Sequence, residues 1–166
     1  MRCTTCGAEH DWSDLEPVFH RPDAYLEVPE SEREHRTLAS NDDCRIRDAD
    51  DTWRRYFLRV LMPIPVRGEA RDCRWGLWVE VSAATFARVR ALWDQPGQAG
   101  EPPFAATVAN TVRGYPATLG LPGQFRLTGP TTPPFFHFDP AVDHPLAAEQ
   151  RAGVFPERIL EWLHEH

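Results

Sequence analysis

Cys73-Arg74-Trp75-Gly76-Leu77-Trp78-Val79-Glu80-Val81 is the stretch that decides the fold. Cys73, Trp75, Leu77, Val79 and Val81 alternate with Arg74, Gly76, Trp78 and Glu80, the period of two expected of a strand with one buried face. Upstream, Tyr56-Phe57-Leu58-Arg59-Val60-Leu61-Met62 carries the β-branched and aromatic residues that fit a pleated surface. Pro63 and Pro65 follow it, and since proline has no N–H for a central ladder, they predict a strand that ends at a sheet edge. Arg67-Gly68-Glu69-Ala70 then turns the chain, so the two strands read as a hairpin. Alternation also sets Trp75 and Trp78 on opposite faces, and at least one indole must be covered by a helix, a loop or a partner.

Ser82 follows as an N-cap, with Phe86, Val89 and Trp93 on one stripe before Asp94-Gln95-Pro96-Gly97 stops the helix. Residues 96–145 hold ten of the sixteen prolines. Aromatic residues recur through them, which marks folded, loop-rich structure with short strands at 104–112, 124–127 and 135–138. Helices are expected at 145–151 and 156–164, each opened by proline, the second with Ile159, Trp162 and Leu163 on one side. Near the N-terminus, Pro29 opens a short surface helix reaching Arg36. The expected fold class is α+β: a mostly antiparallel sheet around 55–62 and 73–81, flanked by helices, in one domain spanning 1–166. Residues 1–44 form a zinc-knuckle-like segment packed on that body.

The chain has 166 residues, 42% of them hydrophobic and 26% charged, and a net charge of −7. At this length about two-thirds of the unfolded surface can be buried, so a core needs neither disulfides nor metal. All 18 basic residues are arginine, which excludes lysine Schiff bases and a P-loop lysine. Four arginines face eleven acidic residues in 1–44, eight face five in 45–74, and six face nine beyond. Nucleic-acid binding wants a dense basic face, and is not expected here. No apolar run approaches the roughly 18 residues of a membrane span, and residues after Met1 form no secretory h-region, so a cytosolic location and no membrane partner are expected.

The sharpest local signal is Cys3-Thr4-Thr5-Cys6-Gly7-Ala8-Glu9-His10. Two cysteines separated by two residues can hold one ion in a tight turn, and the glycine lets the backbone curl so that N–H groups face the thiolates. This is half a tetrahedral site, and His10, His20, Cys44, Cys73 and His144 are candidates for the rest. His10 and Cys44 rank first: His10 is nearest in the chain, and Cys44 sits in the polar turn Asn41-Asp42-Asp43-Cys44 just before strand structure. Zn(II) on Cys3, Cys6, Cys44 and His10 is the leading reading, with a redox dithiol or thiols without a role as alternatives. Cys73, on the apolar face of its strand, reads as a core residue.

Asp143-His144-Pro145 lies where a loop meets a helix. His144 could serve as general base or ligand, but the simpler reading has Asp143 accepting N–H groups at the helix start. His137, among Phe135, Phe136 and Phe138, reads as a strand residue rather than a catalyst. There is no Gly-x-Ser-x-Gly elbow, no Gly-x-Gly-x-x-Gly and no His-Glu-x-x-His.

Cys3-x-x-Cys6-Gly7-x-x-His10, Pro22-Asp23-x-Tyr25, Asp43-Cys44, Phe57-x-Arg59, Ile64-Pro65-Val66, Trp75-Gly76-x-Trp78-Val79, Gly114-Tyr115-Pro116-x-Thr118, Asp143-His144-Pro145-Leu146 and Gln150-Arg151-x-Gly153 together resemble the bacterial domain-of-unknown-function family 2199. The resemblance spans nearly the whole chain and departs from the family pattern at Ala152, where an acidic residue is expected. It implies one domain and groups Cys3, Cys6 and Cys44 as a set, with no activity attached. Two functional expectations stand. The first is a non-enzymatic protein-binding or adaptor domain with a structural zinc site. The alternative is a metal-dependent hydrolase with an open zinc position near Asp143-His144, and Asp143-His144 or Glu9 as its proton-transfer group.

Overall fold

The computed structural model describes residues 16–165. Along the chain run α1 (Asp23–Glu27), α2 (Glu30–Arg36), β1 (Thr37–Ala39), β2 (Asp43–Arg47), β3 (Trp53–Ile64), β4 (Cys73–Val81), α3 (Ala83–Leu92), β5 (Phe104–Val108), β6 (Pro122–Arg126), β7 (Phe135–Phe138), α4 (Pro145–Ala152) and α5 (Pro156–Glu165). Neighbouring strands pair antiparallel in sequence order, and a parallel bridge from Leu61 of β3 to Phe135 of β7 closes β3 to β7 into a small barrel. The result is a mixed α+β fold. β1 and β2 extend one side of the barrel, paired through β2 to the first half of β3.

The hairpin is the spine of the structure, and it differs from expectation at its end. β3 passes through Pro63, which pairs with Arg74, and reaches Ile64. The N–H groups of Arg59 and Leu61 point away from β4, to Asp42 and Pro134 at 2.8 Å each. Two residues on, the nitrogen of Pro63 faces that same side, so the missing N–H interrupts no bond to β4. The strand therefore does not end at a sheet edge but within a closed wall.

Expectation of one buried face also fails, because Trp75 to Val79 are buried on both. Trp75 joins the main core with Leu58, Val60, Met62, Phe125, Phe136 and the helical residues Phe86, Leu146 and Trp162. Trp78 lies in a second cluster with Ala24, Val28, Cys44, Ile46, Phe57 and Ala109. The two indoles do occupy opposite faces, and α1 with the chain before it covers the outer one.

Other elements fall close to where the sequence puts them. Ser82 caps α3 by accepting the Thr85 N–H at 3.0 Å. Pro29 is the N-cap of α2 rather than its first residue, and no residue of α2 is buried. β5 stops at Val108 rather than 112. β2 was not expected as a strand around Cys44, yet Cys44 and Ile46 point inward while Asp43, Arg45 and Arg47 do not. After α4, Gly153 adopts φ +74°, and a Cβ there would lie 2.9 Å from the Pro65 carbonyl oxygen. That close approach allows Val154 to bridge Val66 and sets the start of α5. No helix among the described residues is long and apolar enough to cross a membrane.

Candidate functional site

Two clusters gather the motif residues. In the first, the segment before α1 lies along β4. The Gly76 N–H donates to Pro17 O at 2.8 Å, the Phe19 N–H donates to Gly76 O at 2.9 Å, and the Trp78 indole N–H donates to Phe19 O at 2.9 Å. Gly76 permits this because a Cβ would sit 3.3 Å from a methyl of Val18. Asn110, fully buried, then ties the segment to the barrel. Its Oδ1 accepts the Trp78 backbone N–H at 2.8 Å, and its Nδ2 donates to Arg21 O at 2.9 Å and to Asp23 Oδ1 at 3.2 Å. The other carboxylate oxygen of Asp23 accepts the Thr111 N–H at 2.8 Å. Pro22-Asp23-x-Tyr25 and Trp75-Gly76-x-Trp78 are thus two halves of one joint.

Cys44 lies beneath that joint. It has no exposed surface, and Phe19, Tyr25 and Ala39 pack on its cluster. Burial pushes its thiol up to about 12, partly opposed by Arg21. Such a thiol ionises only with strong compensation, and a metal ion supplies that. The other three metal candidates, Cys3, Cys6 and His10, lie outside the described residues. Among the described residues no group of three or more His, Cys, Asp or Glu side chains could hold an ion. Cys73 opens β4 and is buried in the main core, as a core residue should be. His20 lines the surface cleft beside the docked segment.

The second cluster surrounds Tyr115. Its hydroxyl donates to Glu149 Oε2 and accepts the Trp162 indole N–H at 2.9 Å. Arg158 donates to the second Glu149 oxygen at 3.1 Å and lies over the Tyr115 ring. Burial, together with the Glu149 carboxylate, raises the Tyr115 hydroxyl well above its ordinary range. His144 stands beside the Tyr115 ring, with 6.3 Å between centroids. It is His144, not Asp143, that caps α4: its Nδ1 accepts the Leu146 N–H at 3.1 Å, and its Nε2 faces Pro116 O at 3.4 Å. Those two contacts fix the tautomer with hydrogen on Nε2. Asp143 is exposed. Gln150 is equally committed, bridging β7 through the Phe138 N–H at 2.9 Å and Phe136 O at 2.8 Å. His137 points outward from β7.

Sequence reading missed Asn110, Glu149 and Arg158. The side-chain partners of Asn110 lie 32 or more residues away, and Glu149 and Arg158 meet from two different helices, so no local spacing marks them.

Fold and site together define a mixed α+β barrel protein whose motif residues knit its segments to one another. The model of a family described as an uncharacterized protein conserved in bacteria, the domain-of-unknown-function family 2199, matches residues 2–154, and the chain belongs to that family. No curated protein and no solved structure matches. The match ends before α5.

Proposed function

We propose that the chain is a non-enzymatic, protein-binding adaptor domain in the cytoplasm, in which Zn(II) on Cys3, Cys6, Cys44 and His10 pins the N-terminal segment to the barrel. The observation that carries this reading is the state of His144. Both ring nitrogens are engaged by backbone groups and the residue is 7% exposed, so it serves α4 and the Pro116 loop rather than a substrate. The hydrolase alternative calls on Asp143-His144 or on Glu9 for proton transfer, and the engaged ring disfavours the first of these. Cys44 supports the metal side of the reading: structural zinc sites are closed, and a wholly buried thiol close to the incoming N-terminal segment suits a closed site.

The test is the metal's coordination shell, read by X-ray absorption on untagged protein. Four sulfur and nitrogen ligands from the protein with no water agree with the reading. Three protein ligands and a water would contradict it. His144→Ala should leave metal content unchanged, and loss of metal in that variant would overturn the ligand set.

A further inference from the structure

β3 changes partners midway. Its first half pairs with β2 as far as Leu58, opposite Asp43, and at Leu61 it bridges Phe135 of β7. Across that split the Arg59 N–H donates to Asp42 O and the Leu61 N–H to Pro134 O, at 2.8 Å each. The β1–β2 turn and the loop 129–134 therefore stand as two walls anchored two residues apart on one strand. Two cavities of about 170 and 190 Å³ lie there, both lined by Asp42 and Trp93. With those walls in common, they make one groove at the C-terminal end of α3.

Negative charge and hydrogen-bond acceptors line this groove. Asp42 and Asp94 are exposed carboxylates with no ion pair among the described residues, while Arg90, the cation of the lining, is taken by Asp43. The end of α3 adds the negative pole of a helix. Gln98 is 4% exposed and turns its Nε2 to Leu92 O at 3.1 Å and Trp93 O at 2.6 Å. Its Oε1 is left without a donor among the described residues, in a side chain that lines the groove. A polar atom so nearly buried is costly until something donates to it. Trp93 is half-buried, packing partly on the main core and otherwise open to the groove.

The carboxylates do not converge as metal ligands would: among the described residues no group of three or more His, Cys, Asp or Glu could hold an ion. Each cavity is also well below the roughly 300–1,000 Å³ of small-molecule sites, and suits a single side chain. A guanidinium meets these demands best, because its edge carries five N–H donors for separated oxygens and its face stacks on an indole. We infer that the groove receives an arginine side chain of a partner protein, with the guanidinium against Trp93, its N–H groups on Asp42 and Gln98 Oε1, and Asp94 lending its charge. This rests on the adaptor reading and names the chemistry of the adaptor's partner.

The test is an NMR titration of the isotope-labelled full chain with the blocked peptide acetyl-Gly-Arg-Gly-amide and with its citrulline counterpart, which keeps the shape and removes the charge. The arginine peptide should give saturable shifts at the Trp93 indole N–H and the Gln98 side-chain amide, and the citrulline peptide should bind about tenfold more weakly, the difference between charged and neutral hydrogen bonding. Asp42→Asn and Asp94→Asn, both at exposed positions, should each weaken binding by up to about fivefold, the scale of one exposed ion pair. Unmoved Trp93 and Gln98 signals, equal affinity for the two peptides, or unchanged affinity in the double variant would overturn the inference. So would shifts centred on the acidic helix α2, which would mean general attraction to negative surface. Any of these results would leave the adaptor reading standing, since that reading fails on the metal's coordination shell, which this titration does not touch.

Discussion

Trp78 donates its backbone N–H to Asn110 Oδ1, 2.8 Å away across 32 residues of sequence. This one bond substitutes a side chain for a strand neighbour just past the point where β5 stops. It leaves Asn110 Nδ2 to hold Arg21 O and Asp23, so a single amide joins β4, the β5 exit and the N-terminal segment. Asn110→Ala would leave a buried N–H and a buried carbonyl unpaired, at about 1–3 kcal/mol for each group. Urea unfolding should show a loss of about 3 kcal/mol. A loss below 0.5 kcal/mol would mean that water replaces the amide and that the joint is not closed.

Trp162 is wholly buried, meets Trp75 edge to face at 4.9 Å between centroids, and hydrogen-bonds Tyr115. Trp162→Ala should cost about 3–5 kcal/mol, the usual range for a buried aromatic truncated to alanine. Trp162→Phe keeps most of the contact and should cost much less. Equal costs would show that the hydrogen bond, not the packing, holds α5.

Burial raises the Cys73 thiol to about 12 from the ordinary value of 9.0, so it ionises more readily unfolded than folded. Its contribution is complete below pH 9 and is lost as pH rises from there toward 12. Stability measured across that window should fall, and Cys73→Ala should show a shallower fall. An unchanged slope would contradict the burial. Cys44 is raised in the same direction, but as a zinc-bound thiolate it would add nothing to this slope.

Much of the fold is legible because the relevant physics is local. The period-two pattern of 73–81 and the Ser82 cap identify β4 and α3 from neighbours in sequence. Barrel closure is not legible, because it rests on one β3–β7 bridge between Leu61 and Phe135, and Pro63 and Pro65 argue for an edge. The second buried face of β4 was hidden for a related reason: Gly76 reads as a polar-side residue until Val18 is seen lying on it. Of the candidate site, Cys44 was placed in a turn although Cys44-Arg45-Ile46 already alternates. His144 was given to catalysis or to Asp143's cap, while its own ring makes the cap.

The central claim is the zinc site, and the most direct measurement is elemental analysis of the untagged parent and of Cys3→Ser, Cys44→Ser and Cys73→Ser. Cys44 and Cys73 are both buried, so Cys73→Ser controls for the general effect of a hydroxyl in the interior. The account predicts one zinc per chain in the parent and in Cys73→Ser, and none with Cys3 or Cys44 replaced. Metal-free parent protein, or zinc retained without Cys44, would contradict it.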